Sequence, residues 1–388
     1  MAMRLGNIGP LVVSALILVL AACGGGGSAR QTATPAGVAN VTTIDFAHVA
    51  NYSAPRLPAY FDRTVAALDN SPASNATSDR VATLGRVLFY DLRLSTNNRA
   101  SCASCHRQAI GFTDSMRFSN GISNAITTDF HAMRLGNLRY WQPGSAFWDR
   151  RAPNLEAQTS QPFHSLVELG WGGDAGGFDA LTRKMDATPY YPDLFAWAFG
   201  SAAIDEARIQ QALAQFVRAM VSHSSRWDAG YAQVFSPTAP NRALNLDLPN
   251  FNAQENRGRQ LFMTSARQGG AGCSACHLPP TFALAANARS NGLDAGETRL
   301  FKAPALRSAG LTGPYMHDGR FATLAEVVDF YDHGIQAGPA LDDRLREGRR
   351  PRRLNLSMAD RAALVAFLVT LNDPALTTDT RFSDPFRR

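Results

Sequence analysis

Two copies of the pattern C-x-x-C-H constrain this chain more than any other feature. They are Cys102–His106 and Cys273–His277, and they lie 171 residues apart. In each copy the two thiols are one helical turn apart and can add to the two vinyl groups of a haem, while the adjacent histidine can bind the iron. A redox-active dithiol needs no such histidine, and a structural zinc site would pair the two dithiols. The pattern therefore predicts two covalent c-type haems, with His106 and His277 as iron ligands.

The first 22 residues are typical of an export signal. Arg4 gives the positive start, and Leu11–Leu20 is an apolar run that is too short to span a bilayer with any margin. The run leads through two alanines into Cys23, which resembles a bacterial lipobox. We therefore expect Cys23 to be lipidated and the protein to be anchored on the periplasmic face of a membrane. An ordinary secretory signal with an incidental cysteine is the alternative, and it also predicts export.

Cysteine usage and net charge limit the remaining possibilities. The five cysteines comprise one for lipid and four for haem, so none remains for a structural disulfide. The formal net charge of +6 falls to about +5 without the signal and to roughly +3 with two ferric haems. This field is too weak to suggest a nucleic-acid partner. The length of 388 residues and the content of 45% hydrophobic residues allow two globular domains.

Each haem motif lies inside a longer internal repeat. A glycine-containing segment precedes each motif, at Leu84–Phe89 and at Arg257–Phe262. An apolar segment of matching pattern closes each copy, at Ala212–Met220 and at Ala363–Leu371. A first helix with glycine, a haem-attachment turn and an apolar last helix are typical of the cytochrome c fold, in which the glycine lets the last helix cross close by. The predicted fold class is mainly α, with two tandem cytochrome c-like domains that each bind one covalent haem c.

Local signals bound the two closing helices and the domains. Ser357 resembles an N-cap with Asp360 three residues later, and Asn372 and Pro374 should end that helix. Helical periodicity over 204–222 predicts the closing helix of the first copy. The expected organisation is a signal peptide at 1–22, a flexible tether at 23–45, an N-terminal cytochrome c-like domain at 46–240 and a C-terminal cytochrome c-like domain at 251–375.

Three further segments carry a family resemblance. They are Phe147–Leu169, Phe301–Arg307 and Leu311–Gly319, and together with the haem motifs they resemble the bacterial di-haem cytochrome c peroxidase and MauG family. The resemblance covers roughly residues 80–372. It implies an oxidoreductase in which the first haem reacts with peroxide and the second haem transfers electrons.

The resemblance also implies catalytic residues. Cleavage of the O–O bond requires a group that moves a proton between the two oxygens. Glu168 matches the distal acid/base of the family, and Gln158 matches the amide that orients peroxide or water. Trp148 matches the tryptophan between the haems, where its π-system could relay electrons. A surface glutamate and a packed core tryptophan are the alternatives.

The distal iron ligands are where this chain departs from many relatives. No histidine occurs between Arg107 and Phe130, so we expect a five-coordinate or water-bound first haem, with His131 as a weaker candidate ligand. At the second haem, Tyr331 occupies the position of the usual methionine, as in MauG. A phenolate stabilises ferric iron. The alternative is a packed tyrosine with Met316 or Met358 as the ligand.

A calcium ion between the haems is also implied. Thr312 and Pro314 match the two backbone carbonyls that hold it in the family, whereas His131 replaces the asparagine that contributes a side-chain oxygen. Carbonyl oxygens suit Ca²⁺, but an imidazole does not. The sequence thus predicts two haem c groups and one calcium ion.

Three functions follow as hypotheses. The first is a peroxidase that reduces hydrogen peroxide to water, with electrons supplied by a small periplasmic cytochrome c or cupredoxin. The second is a MauG-like oxidase, in which peroxide-derived oxidising equivalents modify a partner protein, and Tyr331 favours it. The third is a non-catalytic di-haem electron carrier, against which Gln158 and Glu168 argue. The sequence identifies neither the donor nor a homodimer, which is common in the family.

Overall fold

Helices form most of the regular structure. The computed structural model describes residues 35–387, so the signal peptide, the lipidation site Cys23 and residues 23–34 of the tether lie outside the described residues. The α-helices are α1 (Ala36–Val41), α2 (Arg63–Ala66), α3 (Asp79–Tyr90), α4 (Cys102–Cys105), α5 (Leu155–His164), α6 (Gly177–Asp186), α7 (Tyr191–Phe199), α8 (Glu206–Arg218), α9 (Arg226–Val234), α10 (Ala253–Met263), α11 (Leu324–Asp329), α12 (Met358–Val369) and α13 (Pro374–Thr378). Within residues 35–387, no helix is long and apolar enough to cross a bilayer.

Short elements complete the chain. A π-helical turn at Phe330–Gly334 continues α11. Two antiparallel hairpins pair β1 (His277–Leu278) with β2 (Ala283–Leu284), and β3 (Arg346–Glu347) with β4 (Arg350–Pro351). Single 3₁₀ turns lie at Ala73–Asn75, Leu92–Leu94, Gln108–Ile110, Leu138–Tyr140, Gly173–Ala175, Pro240–Ala243, Ala266–Gln268, Cys273–Ala275, Asp343–Leu345 and Thr380–Phe382.

Two crossed helix pairs, α3 with α8 and α10 with α12, organise the fold. A Cβ atom added to Gly85 of α3 would lie 2.0 Å from the carbonyl oxygen of Ala212, and one added to Gly258 of α10 would lie 1.9 Å from that of Ala363. Both distances are far below van der Waals contact, so only glycine permits these crossings. The predicted role of the glycine in each copy of the repeat is therefore confirmed.

The closing helices begin at the caps that the sequence offers. Asp205 accepts a hydrogen bond from the Arg208 backbone and starts α8. Ser357 likewise accepts from the Asp360 backbone and starts α12, as predicted. Helix α8 ends at Arg218 rather than near residue 222, because Met220 and Val221 already make tighter turns.

The buried apolar side chains form two main clusters, one around α3 and α8 and the other around α10 and α12. Two segments pack outside the domain to which chain order would assign them. Helix α9 contributes Trp227 to the second cluster. The C-terminal Phe382 packs in the first cluster, where its carbonyl accepts a hydrogen bond from the Tyr90 hydroxyl at 2.6 Å.

Candidate functional site

The first C-x-x-C-H motif presents a neutral imidazole. Helix α4 carries both thiols and is capped by Ser101 in a capping box with Ser104. Nδ1 of His106 lies 3.0 Å from the Phe112 carbonyl oxygen, so Nδ1 carries the proton and Nε2 retains its lone pair. Burial lowers the pKa of His106, which keeps the ring neutral. An imidazole oriented in this way can bind iron.

The second motif has the same pattern of cysteines and histidine but a different local structure. Cys273 lies in a 3₁₀ turn, and His277 opens β1. Burial lowers the pKa of His277 to about 4, and its Nδ1 is buried without a hydrogen-bond partner. Burial also raises the pKa of Cys273 to about 12 and that of Cys276 to about 11, so both thiols are neutral.

An apolar cavity opens beside the second motif. Its wall includes both thiols, His277 and Tyr331. Aliphatic and aromatic side chains supply most of the remaining surface, among them Phe262, Leu284, Val328, Leu364 and Leu368. Paired thiols, a neutral histidine and apolar walls fit a covalently attached haem.

Two candidate iron ligands in the wall of this cavity meet at one amide group. The Asn291 side-chain nitrogen donates to the Tyr331 hydroxyl at 3.2 Å and lies 3.6 Å from the Met316 sulfur. Burial raises the pKa of Tyr331 to about 12, while the bond from Asn291 acts in the opposite direction. Met358 is 81% exposed, so it is wrong as an alternative ligand. The structure thus brings Tyr331 and Met316 together and leaves Met358 outside.

A π-helical turn positions Tyr331. It follows α11 directly. The turn is wider than an α-helical turn because it contains one additional residue. Such turns occur frequently at functional sites. The sequence reasoning identified the residue but had no signal for this turn.

Glu168 lies close to the first pair of thiols. Burial raises the pKa of its carboxyl. Burial also raises the pKa of Cys102 and of Cys105, and the charge of Glu168 contributes to both of these shifts. The backbone of Glu168 is held by a hydrogen bond to the Ser165 hydroxyl at 3.1 Å. Gln158 is half-buried on α5, the helix that leads into this segment.

A neighbouring loop fixes the same segment from the other side. The Ile122 backbone donates to the Val167 carbonyl at 2.9 Å. A Cβ atom on Gly121 would lie 1.6 Å from that carbonyl oxygen. The loop therefore packs so tightly against residues 167–168 that the Glu168 backbone has little freedom.

Trp148 lies on a turn that is closed by an antiparallel bridge between Ala146 and Ala152. Its indole N–H donates to the His131 carbonyl at 2.8 Å, and its ring is 6.4 Å from the His317 ring in an edge-on arrangement. Trp148 also lines the cavity of the second motif. The predicted relay tryptophan is thus in contact with that cavity.

The turn around His317 is the counterpart of the turn around Trp148. It is closed by the bridge between Tyr315 and Phe321, and Met316 and Phe147 both have positive φ values, of 73° and 66°. The internal repeat therefore extends to these turns. The shared Asp and Arg of F-W-D-R-R and M-H-D-G-R are the sequence signal that could have revealed this.

Each turn accepts a backbone hydrogen bond from the other copy of the repeat. His131 donates to the carbonyl of His317 at 2.8 Å, and Lys302 donates to that of Trp148 at 2.6 Å. His131 and Lys302 themselves occupy matching positions of the two copies. The two copies thus meet along a seam of pseudo-twofold symmetry, with Trp148 and His317 facing each other.

Comparisons with known proteins agree with this arrangement. Residues 79–234 match the family described as di-haem cytochrome c peroxidase. The methylamine utilization protein MauG of Methylorubrum extorquens is 32% identical over 328 residues, which cover 79% of this chain and 82% of that protein. The chain belongs to the di-haem cytochrome c peroxidase and MauG family. It is therefore an oxidoreductase, and membership implies two haem c groups.

Other members of the family are also similar. The cytochrome c551 peroxidase of Nitrosomonas europaea is 29% identical over 272 residues, covering 64% of this chain and 72% of that protein. A MauG-like protein associated with microbial copper homeostasis has a solved structure that superposes with a TM-score of 0.65 at 30% identity, over 87% of this chain and 100% of that chain. The diheme peroxidase BthA of Burkholderia thailandensis shares the fold, with a TM-score of 0.61 at 21% identity over 81% of this chain and 92% of that chain.

His131 does not have a free nitrogen for either role suggested by the family comparison. Its ring is buried, with Nδ1 3.1 Å from the Met116 carbonyl oxygen and Nε2 3.2 Å from the Thr113 hydroxyl. A ring engaged at both nitrogens fits neither a distal ligand of the first haem nor a calcium ligand.

One of the two carbonyl donors expected for calcium, that of Thr312, does not fit the ion either. The Thr312 carbonyl accepts a hydrogen bond from the guanidinium of Arg134, which brings a positive charge to the place where the cation would bind. In the part of the chain that the structure describes, no group of three His, Cys, Asp or Glu side chains could hold a metal ion. Hard cations such as Ca²⁺ favour carboxylates in addition to carbonyls.

Proposed function

We propose that this protein is a peroxide-dependent di-haem oxidase of the MauG type, which uses peroxide to oxidise residues of a partner protein. The observation that carries the proposal is the phenol of Tyr331, which faces the second haem cavity and accepts a hydrogen bond from Asn291. The similarity to MauG at 32% identity supports the same function.

Two matched sets of residues would hold the haems. Cys102 and Cys105 would bind the first haem covalently and Cys273 and Cys276 the second, with His106 and His277 as proximal ligands. When bound, the haems supply the redox chemistry that splits the O–O bond of peroxide and retains its two oxidising equivalents.

Glu168 and Gln158 would handle the peroxide at the first haem. Burial raises the pKa of Glu168, which makes its carboxylate a stronger proton acceptor than an exposed one. It would take a proton from one oxygen of the peroxide and deliver it to the other oxygen, which leaves as water. The Gln158 amide would orient the peroxide, since it can donate and accept hydrogen bonds.

Trp148 would connect the two haems electronically. Its indole N–H is fixed by the His131 carbonyl and its ring borders the second cavity, so the ring is rigid and polarised. An aromatic ring that is held between two redox centres shortens each electron-transfer step.

Tyr331 would hold the second haem in its ferric state. A phenolate oxygen is a strong donor to ferric iron, and the amide of Asn291 can stabilise its charge by a hydrogen bond. A haem ligated in this way accepts further oxidation more readily than a haem with a thioether ligand.

Peroxide reduction by a fast peroxidase is the second candidate function, and Met316 favours it. Its sulfur lies 3.6 Å from the nitrogen of the same Asn291 amide. A rearrangement of these side chains would therefore replace the phenol by a thioether as the iron ligand. A thioether ligand favours ferrous iron and suits a haem that receives electrons from a small periplasmic cytochrome c or cupredoxin.

Steady-state turnover of hydrogen peroxide with a reduced small cytochrome as donor separates the two functions. The MauG-type oxidase should turn over slowly and show an oxidised spectrum that persists after peroxide is added. Fast turnover with immediate return of the resting spectrum would contradict the proposal and select the peroxidase. A carrier would not respond to peroxide at all.

A further inference from the structure

Arg134 is a buried cation at the seam between the two copies of the repeat. Its side chain is 6% exposed, and its guanidinium donates to the carbonyl of Thr312. The guanidinium carbon lies 5.5 Å from the centre of the Tyr315 ring. Among the described residues, no carboxylate lies close enough to Arg134 to affect its pKa, and its Nε has no hydrogen-bond partner.

Such an arrangement needs an explanation, because an unpaired buried charge is costly. Burial lowers the pKa of Arg134 to about 10, which still leaves the group charged near neutral pH. Within residues 35–387, this charge is compensated by the partial negative charges of the Thr312 carbonyl oxygen and of the Tyr315 ring face. Carbonyl oxygens are also what a calcium ion would use.

We infer that the Arg134 guanidinium is a built-in cation that replaces the calcium ion of relatives, so that the two halves of this enzyme stay joined without bound metal. The guanidinium binds the Thr312 carbonyl, one of the two carbonyls expected to hold calcium. A divalent ion on the same carbonyl would lie within a few ångströms of the guanidinium, where repulsion between cations is strong in a buried site.

The surroundings of Arg134 agree with a replacement. His131 occupies the position of the side chain that binds calcium in the family. Its two ring nitrogens are engaged by Thr113 and Met116. The position of Arg134 in the second copy of the repeat is Ala305, so the charge is present on one side of the seam only. This guanidinium therefore has no counterpart in the second copy.

Calcium analysis of the wild-type enzyme with both haems attached tests the inference directly. Elemental analysis after desalting should find far less than one calcium per chain. The melting temperature should not change with EGTA or with millimolar CaCl₂, whereas a calcium site of micromolar affinity would raise it by several degrees. Stoichiometric calcium, or a melting temperature lowered by EGTA, would overturn the inference.

Variants of Arg134 extend the test. Arg134→Ala should lower the melting temperature and should make it rise with added CaCl₂, because the Thr312 carbonyl becomes free. Arg134→Lys keeps the charge and should remain indifferent to calcium. An Arg134→Ala protein as stable as wild type and unresponsive to calcium would show that the guanidinium has no such role.

Arg150 provides a matched control. Its guanidinium is also partly buried and donates to the backbone carbonyls of Ala288 and Phe301, at 2.6 and 3.0 Å. These carbonyls are not the ones expected to bind calcium. Arg150→Ala should therefore acquire no response to CaCl₂, and a response equal to that of Arg134→Ala would contradict a specific site. If Arg134→Ala does not fold, the wild-type measurements decide alone.

Discussion

Burial acts on Glu168 and Tyr331 in the same direction but with different chemical consequences. It raises the pKa of both groups, so it disfavours the charged form of each in the haem-free polypeptide. For a carboxyl this shift brings the pKa closer to neutral pH and makes proton transfer easier. For a phenol it moves the pKa away from neutral pH, so that only a strong Lewis acid such as ferric iron would remove the proton.

Glu168→Gln should slow the reaction with peroxide by about 100- to 10,000-fold, because a positioned acid–base group is lost. In the wild type the rate should rise with pH through a pKa above the ordinary value near 4.5, since only the carboxylate accepts the proton. The variant should lack this dependence. Stopped-flow absorbance at several pH values measures both effects.

The same substitution should not destabilise the protein. A pKa that is raised in the folded state means that ionisation of Glu168 costs stability as pH rises, and glutamine removes that cost. The exposed Glu347→Gln serves as the control and should leave rate and stability unchanged. A Glu168→Gln rate within threefold of wild type would exclude Glu168 from proton transfer.

Tyr331→Met should raise the reduction potential of the second haem, because a thioether favours ferrous iron more than a phenolate does. Tyr331→Phe should leave an open or rearranged position and change the low-spin spectrum. Redox titration followed by optical spectroscopy measures both.

Two methionines complete that experiment. Met316→Leu should leave the potential nearly unchanged if the phenol is the ligand, and the exposed Met358→Leu should have no effect in either case. If the potential follows Met316 and ignores Tyr331, the thioether is the ligand and the peroxidase function gains support.

At the scale of elements, two equivalent helix crossings determine where the haem motifs lie. Each crossing brings a glycine of the first helix against an alanine carbonyl of the last, with a phenylalanine one turn further along. The added Cβ atom would lie 2.0 Å from the alanine carbonyl oxygen at one crossing and 1.9 Å at the other. The two helices of each pair are therefore in equally close backbone contact. The haem-attachment turns follow the first helix of each pair.

Gly85→Ala and Gly258→Ala should each destabilise the protein, because the added methyl group would force a backbone apart. Overpacking of this kind costs about 1–3 kcal/mol and more when backbone is involved. Gly37→Ala in α1 is the control, since its Cβ would lie 3.2 Å from the Tyr190 Cβ, and it should stay within about 1 kcal/mol of wild type. Urea unfolding of the haem-loaded protein measures the differences, and equal effects at all three positions would contradict the crossing argument.

At the scale of the whole molecule, residues of the two copies of the repeat contact each other along the seam. It includes Trp148, His317 and Arg134, and its exchanged backbone hydrogen bonds tie each copy to the other. The C-terminal residues strengthen the connection, because Phe382 packs in the first cluster after the chain has completed the second. The molecule should therefore unfold as one unit rather than as two independent domains.

The place of the molecule in the cell depends on Cys23, which lies outside the described residues. If the lipobox interpretation is right, the mature protein should fractionate with membranes, and Cys23→Ser should block processing or release it. At least two acyl chains are needed for stable anchoring. Fractionation and mass spectrometry of the N-terminal peptide check this, and wild-type protein wholly in the soluble periplasmic fraction would refute the anchor.

The sequence alone was sufficient for whatever depends on local pattern. The haem motifs and the cap at Ser357 are each determined by residues close together in the chain, so spacing predicts them. The glycine crossings join distant segments, and the internal repeat predicted them. The position of Tyr331 among the family motifs was also visible, although the π-helical turn that presents it was not. A turn of this kind results from packing and leaves no periodicity to read.

Only the tertiary structure decided what happens where the two copies meet. Arg134 and Asn291 are unremarkable in sequence, since a buried charge or amide has meaning only through partners that are at least 25 residues away. The same reason explains why Met358 was a wrong candidate ligand. Its side chain is apolar, and nothing in the local sequence indicates that it is exposed to solvent. Contacts between distant segments create these environments, and the chemistry of the seam therefore depends on the fold rather than on any local motif.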